Sequence, residues 1–559
     1  MAVESCGVAE QQAVVSAASF DSRSGETAAD CAVLGLATIL PVIPVIGRLG
    51  VYADDWGNFG RFVGNGDTTI PQLFERLYAL PGTRGRPAMD LYLATLFRIF
   101  GISPIGYHLV NAAVMFAAVL LFYLSLRLVL RQRLLPLTIS LIFAMLPNYS
   151  SARFVPCTFM VGLSTAFFFL NLYAMLRSSS KPRLAIRWTS ISVTAVLLSG
   201  LLYEMLLPLF VLNFLIVWAL ERRKSAKERL PLISLVFLLI ANLAALLAVV
   251  IFKMLTATRP HKLASIKEVV IEAVTVHFYK LGVRLPVIVA KIIILYGNPV
   301  LDVMVLLFAG FVFVYFLRLQ RREDEDPGAG AAIRSVAFGL LIFVSALTMF
   351  VAAGGATGFT ATGFENRTAS GVSLAMTFIF AGGWLGFTSI FRTRRVFVGS
   401  LLIALLCASE LMATSTIGSF WAAAADRQKT ILDALRQDLP VLAPNSALLL
   451  DGVCPYIGPG IVFEGHQDMG GALQTLYRDS SLRGDVVTPQ LRVHEDGIET
   501  SIYGRYRYYP YGNLKVYDLR RRQAFDLRDV KAAMEYFGML GPAHTSCPES
   551  DLGEGVAIF

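Results

Sequence analysis

The chain has 559 residues, 55% of them hydrophobic and 16% charged, where a soluble domain carries roughly 25% charged residues. With a mean hydropathy of +0.61, this excludes a soluble multidomain protein, a disordered chain and a fibre, and leaves a polytopic membrane protein with one soluble appendage. The net charge of +9 does not argue for nucleic acid, because excess Lys and Arg in membrane proteins collects in cytoplasmic loops, where it fixes topology and meets anionic lipid.

Residues 1–31 are polar and small, without a basic n-region, and read as a disordered cytoplasmic tail rather than a signal peptide. The first apolar run is Ala32–Ile46, kinked by Pro41 and Pro44. It is short of the roughly 20 residues needed to cross a bilayer and borrows from its flanks. A polar stretch follows from Arg48 to Arg86, then an amphipathic piece, Pro87–Phe100. Further apolar runs are Tyr107–Leu126, Leu135–Leu146, Phe159–Leu176, Trp188–Leu202, Met205–Leu220, Leu230–Leu255, Pro299–Phe316, Val336–Val351, Ser370–Ile390 and Val396–Met412. By hydropathy these make about eleven transmembrane helices.

Alternate connections carry the basic residues: Arg127, Arg131 and Arg133; Arg177, Lys181, Arg183 and Arg187; Arg222 to Arg229; Arg318 to Arg334; Arg392 to Arg395. The intervening short connections carry almost none, which puts the basic set and the N-terminus in the cytoplasm. The loop 48–100 and everything after Met412 then face outside. Thr256–Asn298 reads as helices lying on the outer membrane surface. Residues 32–414 form the membrane domain, and 415–559 a small extracytoplasmic α/β domain. That domain opens with a helix over 420–436, continues with a buried strand at Ala447–Leu450, and has a β-hairpin over 498–519 turning at Pro510–Asn513.

Of six cysteines, Cys454 and Cys547 both fall in the outer domain, an oxidising compartment under this topology, and are expected to pair. No Cys/His metal spacing is present.

Charge is costly in a membrane chain unless it is used or solvated, so the outer-face polar residues carry the functional argument. Tyr52-Ala53-Asp54-Asp55-Trp56-Gly57-Asn58 follows the first span directly. Its adjacent carboxylates could serve as a general base or bind a divalent cation, one catalytic and the other structural; alone, the pair also fits an interfacial cap. Arg84-Gly85-Arg86-Pro87 ends the same loop, and an Arg there can hold a phosphate. Tyr203-Glu204 sits in a hairpin so tight that its carboxylate either pairs with an Arg or shapes an acceptor site. Phe364-Glu365-Asn366-Arg367 lies in a Gly- and Thr-rich loop. Arg259, His261, Lys262, Lys280, Arg284 and Arg367 supply positive charge where a lipid-phosphate leaving group develops negative charge, although each singly fits interfacial anchoring as well. The Arg/Tyr alternation over Tyr503–Tyr511 could stack on sugar, but it is also the pattern of an exposed strand.

"YADDWGNFG", then "RGRPAMDLYLATLFRIFGISPIGYHLVNAAVMF", together resemble the start of the GT-C membrane glycosyltransferases, with an acidic motif on the first outer loop, an Arg-Pro motif and a Gly-x-x-Pro-x-Gly-Tyr-His lead into the next span. "LLYEMLLPL" and "GFENRTAS" resemble later segments of related bacterial proteins. The resemblance covers roughly residues 30–420 and implies a GT-C fold. It implies a sugar donor on a polyprenyl phosphate, an envelope glycan, lipid or protein acceptor, and transfer on the extracytoplasmic face of the inner membrane. Carried onto this sequence, the base is Asp54 or Asp55, with Asp55 preferred. Arg86 is a candidate for binding the donor phosphate, with Glu204, Arg259, Lys262 and Arg367 as further substrate- or donor-site candidates, and a divalent cation, if any, sits on Asp54 and Asp55. The five Trp residues are isolated, with no Trp-Trp-Asp motif, which argues against protein N-glycosylation.

A transporter or flippase would more often show repeated halves and mid-span polar residues. A non-enzymatic envelope-polysaccharide assembly factor would use the outer domain for docking. Another membrane transferase would want a His or Ser constellation, which the six His residues do not form.

Overall fold

The computed structural model describes residues 26–538 except 67, 81, 131, 226–228, 257–262, 288–298, 323–327, 353–359, 392 and 503–504. Helix α1 covers residues 26–39 and gives way to turns through 48 at Pro41 and Pro44, since Pro has no amide with which to extend the ladder. The polar loop 48–100 is itself helical, with α2 (Asp54–Asn65), α3 (Ile70–Tyr78) and α4 (Pro87–Phe100). There follow α5 (Pro104–Val129), α6 (Leu134–Met145), α7 (Phe159–Ser180), α8 (Ala185–Leu202), α9 (Phe210–Arg223), α10 (Leu232–Thr256), α11 (Ile266–Val274), α12 (Pro299–Arg322), α13 (Gly328–Ala352), α14 (Ser370–Ile390) and α15 (Arg395–Asp438).

Among the described residues, eight helices are long and apolar enough to cross a membrane: α5, α7, α8, α10, α12, α13, α14 and α15. The other three expected spans are short helices. α1 stops at its prolines. α6 has 12 residues, every one buried, so its continuous apolar run marks an interior helix. The Met205–Leu220 run is broken at Leu207–Leu209 by a 3₁₀ turn containing Pro208, which leaves the 14 residues of α9.

Residues 26–31, expected to be disordered tail, are already helical, and Asp30 among them is drawn into the bundle. Buried Asp30 accepts from Arg133 Nε at 2.6 Å and from the Tyr315 hydroxyl at 2.7 Å, tying α1, the α5–α6 connection and α12 together at the basic end. Mid-bundle polar groups satisfy one another. Asn171 donates to Asn242 (2.9 Å), Asn213 donates to Asn171 (3.1 Å) and Asn242 donates to the Ser192 hydroxyl (2.9 Å), linking α7, α8, α9 and α10 as interhelical glue. α11 continues into a π-helical stretch, Thr275–Arg284, and leaves Ile266, Ile271 and Val283 exposed, as an amphipathic surface helix does.

α15 has 44 residues, about 66 Å at 1.5 Å per residue. It runs straight through the expected 414/415 boundary, joining the last span to the first helix of the C-terminal domain. There β1 (Ala447–Asp451) is wholly buried, followed by the short pair β2 (Tyr456–Ile457) and β3 (Gly460–Ile461), helix α16 (His466–Tyr477), β4 (Arg483–Val486), β5 (Arg492–Val493), β6 (Gly497–Ile502), β7 (Arg505–Pro510), β8 (Leu514–Asp518), β9 (Gln523–Asp526) and α17 (Val530–Gly538). One sheet has the order β4-β1-β8-β9, with β1 parallel to both neighbours, and a second is the antiparallel β5-β6-β7. The expected hairpin at Pro510–Asn513 does not form. β7 pairs back onto β6, and after Pro510 the chain crosses to the other sheet, because Leu514 and Val516 complete the buried centre beside β1.

The two parts share a core. One buried apolar cluster runs from Val45, Tyr52 and Phe154 through Trp421 on α15 to Leu448, Phe463 and Met469.

Candidate functional site

The turn before α2 is held under strain. Ala53 has φ 47° and ψ −118°, a conformation that costs a residue with a Cβ about 1–3 kcal/mol and persists only where its surroundings enforce it. The enforcement is visible on both sides of it. The Tyr52 hydroxyl accepts from the Gly50 N–H (2.9 Å) and donates to the Trp421 carbonyl (2.8 Å), and its ring meets the Trp421 ring edge-on at 4.8 Å. The Tyr52 N–H donates to Asp55 Oδ2 at 3.1 Å. Arg48 pairs with Asp426 of α15 at 2.6 Å.

The adjacent carboxylates thereby take different roles. Asp55 is 2% exposed, and burial pushes its carboxyl well above the usual range against the bonds it accepts from Tyr52 and Cys157. Asp54 is half-buried, and its Oδ1 accepts from Gln467 Nε2 of α16 at 2.7 Å. The two carboxylates are thereby distinguished: Asp55 faces its own turn, and Asp54 is the more exposed of the two. The two engage different partners, and among the described residues no three His, Cys, Asp or Glu side chains converge as a metal set.

α16 reaches Asp54 because glycines let it approach α2. Gly57, Gly60 and Gly64 fall on one face of α2. A Cβ at Gly57 would lie 3.0 Å from the Gln467 side chain, one at Gly60 2.6 Å from Gly471 Cα, and one at Gly64 2.8 Å from the Ser480 nitrogen. This spacing of three and four, within "GNFGRFVGNG", was the legible trace of a helix–helix contact, and Gln467 itself carries no motif.

At the same end of the bundle, Arg86, Glu204 and Lys253 form a triad. Arg86 caps the start of α4 and donates Nε to Glu204 Oε2 at 3.0 Å, while its second donor takes Glu204 Oε1. Lys253, from the last turn of α10, donates to Glu204 Oε2 (2.9 Å) and to the Gly85 carbonyl (3.0 Å). The Arg86 guanidinium lies over the Tyr203 ring, 4.7 Å from its centroid. Despite the opposing pull of burial, Arg86 and Lys253 hold the Glu204 carboxyl well below the ordinary carboxylate range. Both cations share one carboxylate, so the triad keeps a net positive charge. Sequence reading missed Lys253, which is hidden at the end of an apolar span.

Arg367 links the two groups. It is anchored by the Phe364 carbonyl (3.1 Å), by Glu365 (3.3 Å) and over the Phe364 ring (3.8 Å). It lies within electrostatic reach of Tyr203, Cys157 and Asp54. Asn366 beside it accepts from the Ser151 N–H (2.9 Å) and donates to the Ser150 hydroxyl (2.9 Å), pinning this loop to the bundle. Asp90, one turn into α4, is fully buried, and among the described residues neither carboxylate oxygen has a well-formed hydrogen-bond partner, although the Thr83 side chain and Arg86 stand near enough to favour its charged form. Burial pushes its carboxyl up to about 7.

Arg259 and Lys262 lie outside the described residues, as does Cys547. Cys454 is disulfide-bonded. His108 is buried against the Gly50 carbonyl at 3.2 Å and is part of the scaffold.

No protein-family model matches the chain, and no curated protein matches it in sequence. Among solved structures, it is similar to the oligosaccharyltransferase of Archaeoglobus fulgidus in the apo form, at 10% identity and a TM-score of 0.41, over 81% of this chain and 64% of that one. It is also similar to ArnT from Cupriavidus metallidurans bound to undecaprenyl phosphate, at 12% identity and a TM-score of 0.35, over 82% and 85% of the two chains. A third is the archaeal oligosaccharyltransferase AglB from Archaeoglobus fulgidus in complex with an inhibitory peptide and a dolichol-phosphate, at 12% identity and a TM-score of 0.37, over 81% and 64%. The chain thus spans under two thirds of the length of the archaeal enzyme.

Proposed function

We propose that this chain is a GT-C-type membrane glycosyltransferase. It moves a sugar from a polyprenyl-phosphate donor to an envelope acceptor on the extracytoplasmic face of the inner membrane. The observation that carries the reading is the grouping, at the end of the bundle opposite its basic clusters, of the partly accessible carboxylate Asp54, in electrostatic reach of the anchored Arg367, with the Arg86–Glu204–Lys253 triad, whose Arg86 lies over the Tyr203 ring that Arg367 also reaches.

In this reading Asp54 accepts the proton of the acceptor hydroxyl, whose oxygen bonds to the anomeric carbon as the bond from that carbon to the donor phosphate oxygen breaks. Negative charge grows on the departing polyprenyl phosphate. Arg86 and Lys253 are fixed where they can neutralise it without reorganising at the moment of reaction. Glu204 holds both cations and positions them, and Arg367 sits between phosphate and base. Asp55 is a positioning residue that holds the strained turn. The mid-bundle asparagines are satisfied by one another, which supports glue rather than a translocation path.

The test is transfer of radiolabelled sugar from a panel of polyprenyl-phosphate donors to envelope acceptors, by protein reconstituted in liposomes. Asp54→Asn abolishes transfer at wild-type Tm, and Arg86→Gln lowers it strongly. Full transfer by Asp54→Asn overturns the mechanism.

A further inference from the structure

Beside Asp54 the outer domain presents a basic face that the proposed chemistry does not use. In the β6–β7 register Arg505 stands opposite Ile502 and Arg507 opposite Thr500, and directly opposed residues share a face of the sheet. Ile502 packs at Gly465, where a Cβ would be 3.1 Å from its side chain. Thr500 donates to Asp485 Oδ2 at 2.6 Å. Arg505 and Arg507 therefore emerge on the side of α16, while Tyr506 and Tyr508 alternate to the other side. His466, the first residue of α16, feels the positive charge of Arg507, Arg505 and Arg61.

Arg61 belongs to a different part of the chain. It lies seven residues after Asp54 on α2, on the same helical face. Arg505 and Arg507 are exposed, and neither they nor Arg61 form an ion pair among the described residues. Asp485, whose negative charge also acts on His466, is already taken by the hydroxyls of Thr500 and Tyr509 (2.6 and 2.9 Å). Charges on an edge strand such as β7 deter strand addition, but that role does not require a further cation from α2 at the same place.

We infer that this face, Arg505, Arg507, His466 and Arg61, binds the acceptor, and that the acceptor is a glycan carrying carboxylate or phosphate groups whose free hydroxyl end reaches Asp54. The inference rests on Asp54 as the base and names the acceptor class for that site. A guanidinium row fits either anion through paired N–H donors.

The experiment measures binding to the full chain in phosphatidylcholine nanodiscs. The probes are oligogalacturonate, a glycerol-phosphate oligomer and neutral maltoheptaose, at two salt concentrations. One of the two anionic probes binds about tenfold more tightly than maltoheptaose, weakens with salt, and loses at least about fivefold in the Arg505→Gln/Arg507→Gln double variant at unchanged Tm. Whichever anion binds more tightly identifies carboxylate or phosphate. Equal binding of neutral and anionic probes, an unaffected double variant, or a double variant altered only in its association with phosphatidylglycerol vesicles overturns the inference. Asp54→Asn retains this binding. Loss of the catalytic reading with binding intact is thus distinguishable from loss of the acceptor reading with transfer intact.

Discussion

Replacing Gly471 by Ala separates α16 from α2 and asks whether the outer domain sets the position of Asp54. The added Cβ would sit 2.1 Å from the Trp56 carbonyl oxygen and 2.5 Å from the Gly57 nitrogen, where ordinary contact begins at 3.4 Å. Both are backbone atoms of the facing segment and cannot rotate away. The helices must part by about 1.3 Å (3.4 − 2.1), since packed interiors leave no slack. Added to the 2.7 Å Gln467–Asp54 bond, this gives about 4 Å, beyond hydrogen-bonding range. Overpacking of this kind costs about 1–3 kcal/mol, and a misplacement of about 1 Å at a reacting group can cost on the order of 10²-fold in rate. The assay is single-turnover sugar transfer with Tm measured in the same detergent. Gly470→Ala is the control, because its Cβ would meet nothing closer than 3.4 Å. Gly471→Ala lowers kcat and Tm while Gly470→Ala leaves both near wild type. Wild-type kcat and Tm in Gly471→Ala would refute the claim that this contact positions Asp54.

Asp55→Ala leaves the buried Tyr52 N–H without its acceptor and lowers stability by about 1–3 kcal/mol, whereas Asp54→Ala removes transfer with little change in denaturant midpoint; chemical denaturation of both variants decides it, and equal loss of stability would contradict the division of roles. Glu204→Gln leaves the partly buried Arg86 and Lys253 without their counter-charge and costs about 1–3 kcal/mol, and the Glu204→Gln/Lys253→Met double variant recovers part of that loss; a double-mutant cycle without coupling would contradict the triad. Asp90→Asn tests the buried carboxyl through pH. A carboxyl raised to about 7 in the folded protein, against roughly 3.9 unfolded, binds its proton more tightly when folded. Its contribution is fully present below pH ~4 and is lost as pH rises through ~7. The variant should therefore match wild type in Tm at acid pH and exceed it at pH ~8; a Tm difference that does not vary with pH would show that Asp90 does not titrate there.

The helical membrane class and the basic end of the bundle were legible because they depend on local composition. Spans such as α5 and α10 are long uninterrupted apolar runs, and the Arg133 cluster marks its end of the bundle. The three short helices were not separable from spans by hydropathy, since α6 is as apolar as any crossing helix and differs only in being surrounded by protein. Arg86, Glu204 and Arg367 could be picked out as charges next to apolar sequence, but the pairing of Arg86 with Glu204 is a tertiary fact. Lys253 was invisible because one charge at the end of a 25-residue apolar helix reads as an interfacial anchor. Asp54 and Asp55 are equivalent in sequence, and only the positive φ of Ala53 and the burial behind it tell them apart.

The strained turn and the shared core explain why the long helix α15 does not stop at the membrane surface. Asp54 is oriented from two directions, through the Tyr52–Trp421 clamp beneath the turn and through Gln467 above it. Trp421 and Gln467 both lie beyond residue 414, in the part of the chain that sequence reading assigned to the outer domain. The cost of holding Ala53 at φ 47°, about 1–3 kcal/mol, is offset by hydrogen bonds worth about 1 kcal/mol each, several of which reach across that division. A rigid helix crossing the boundary keeps the clamp and the membrane cations in one frame, which separate folding of two linked domains would not do. The outer domain is on this account a structural half of the site rather than an appendage to it.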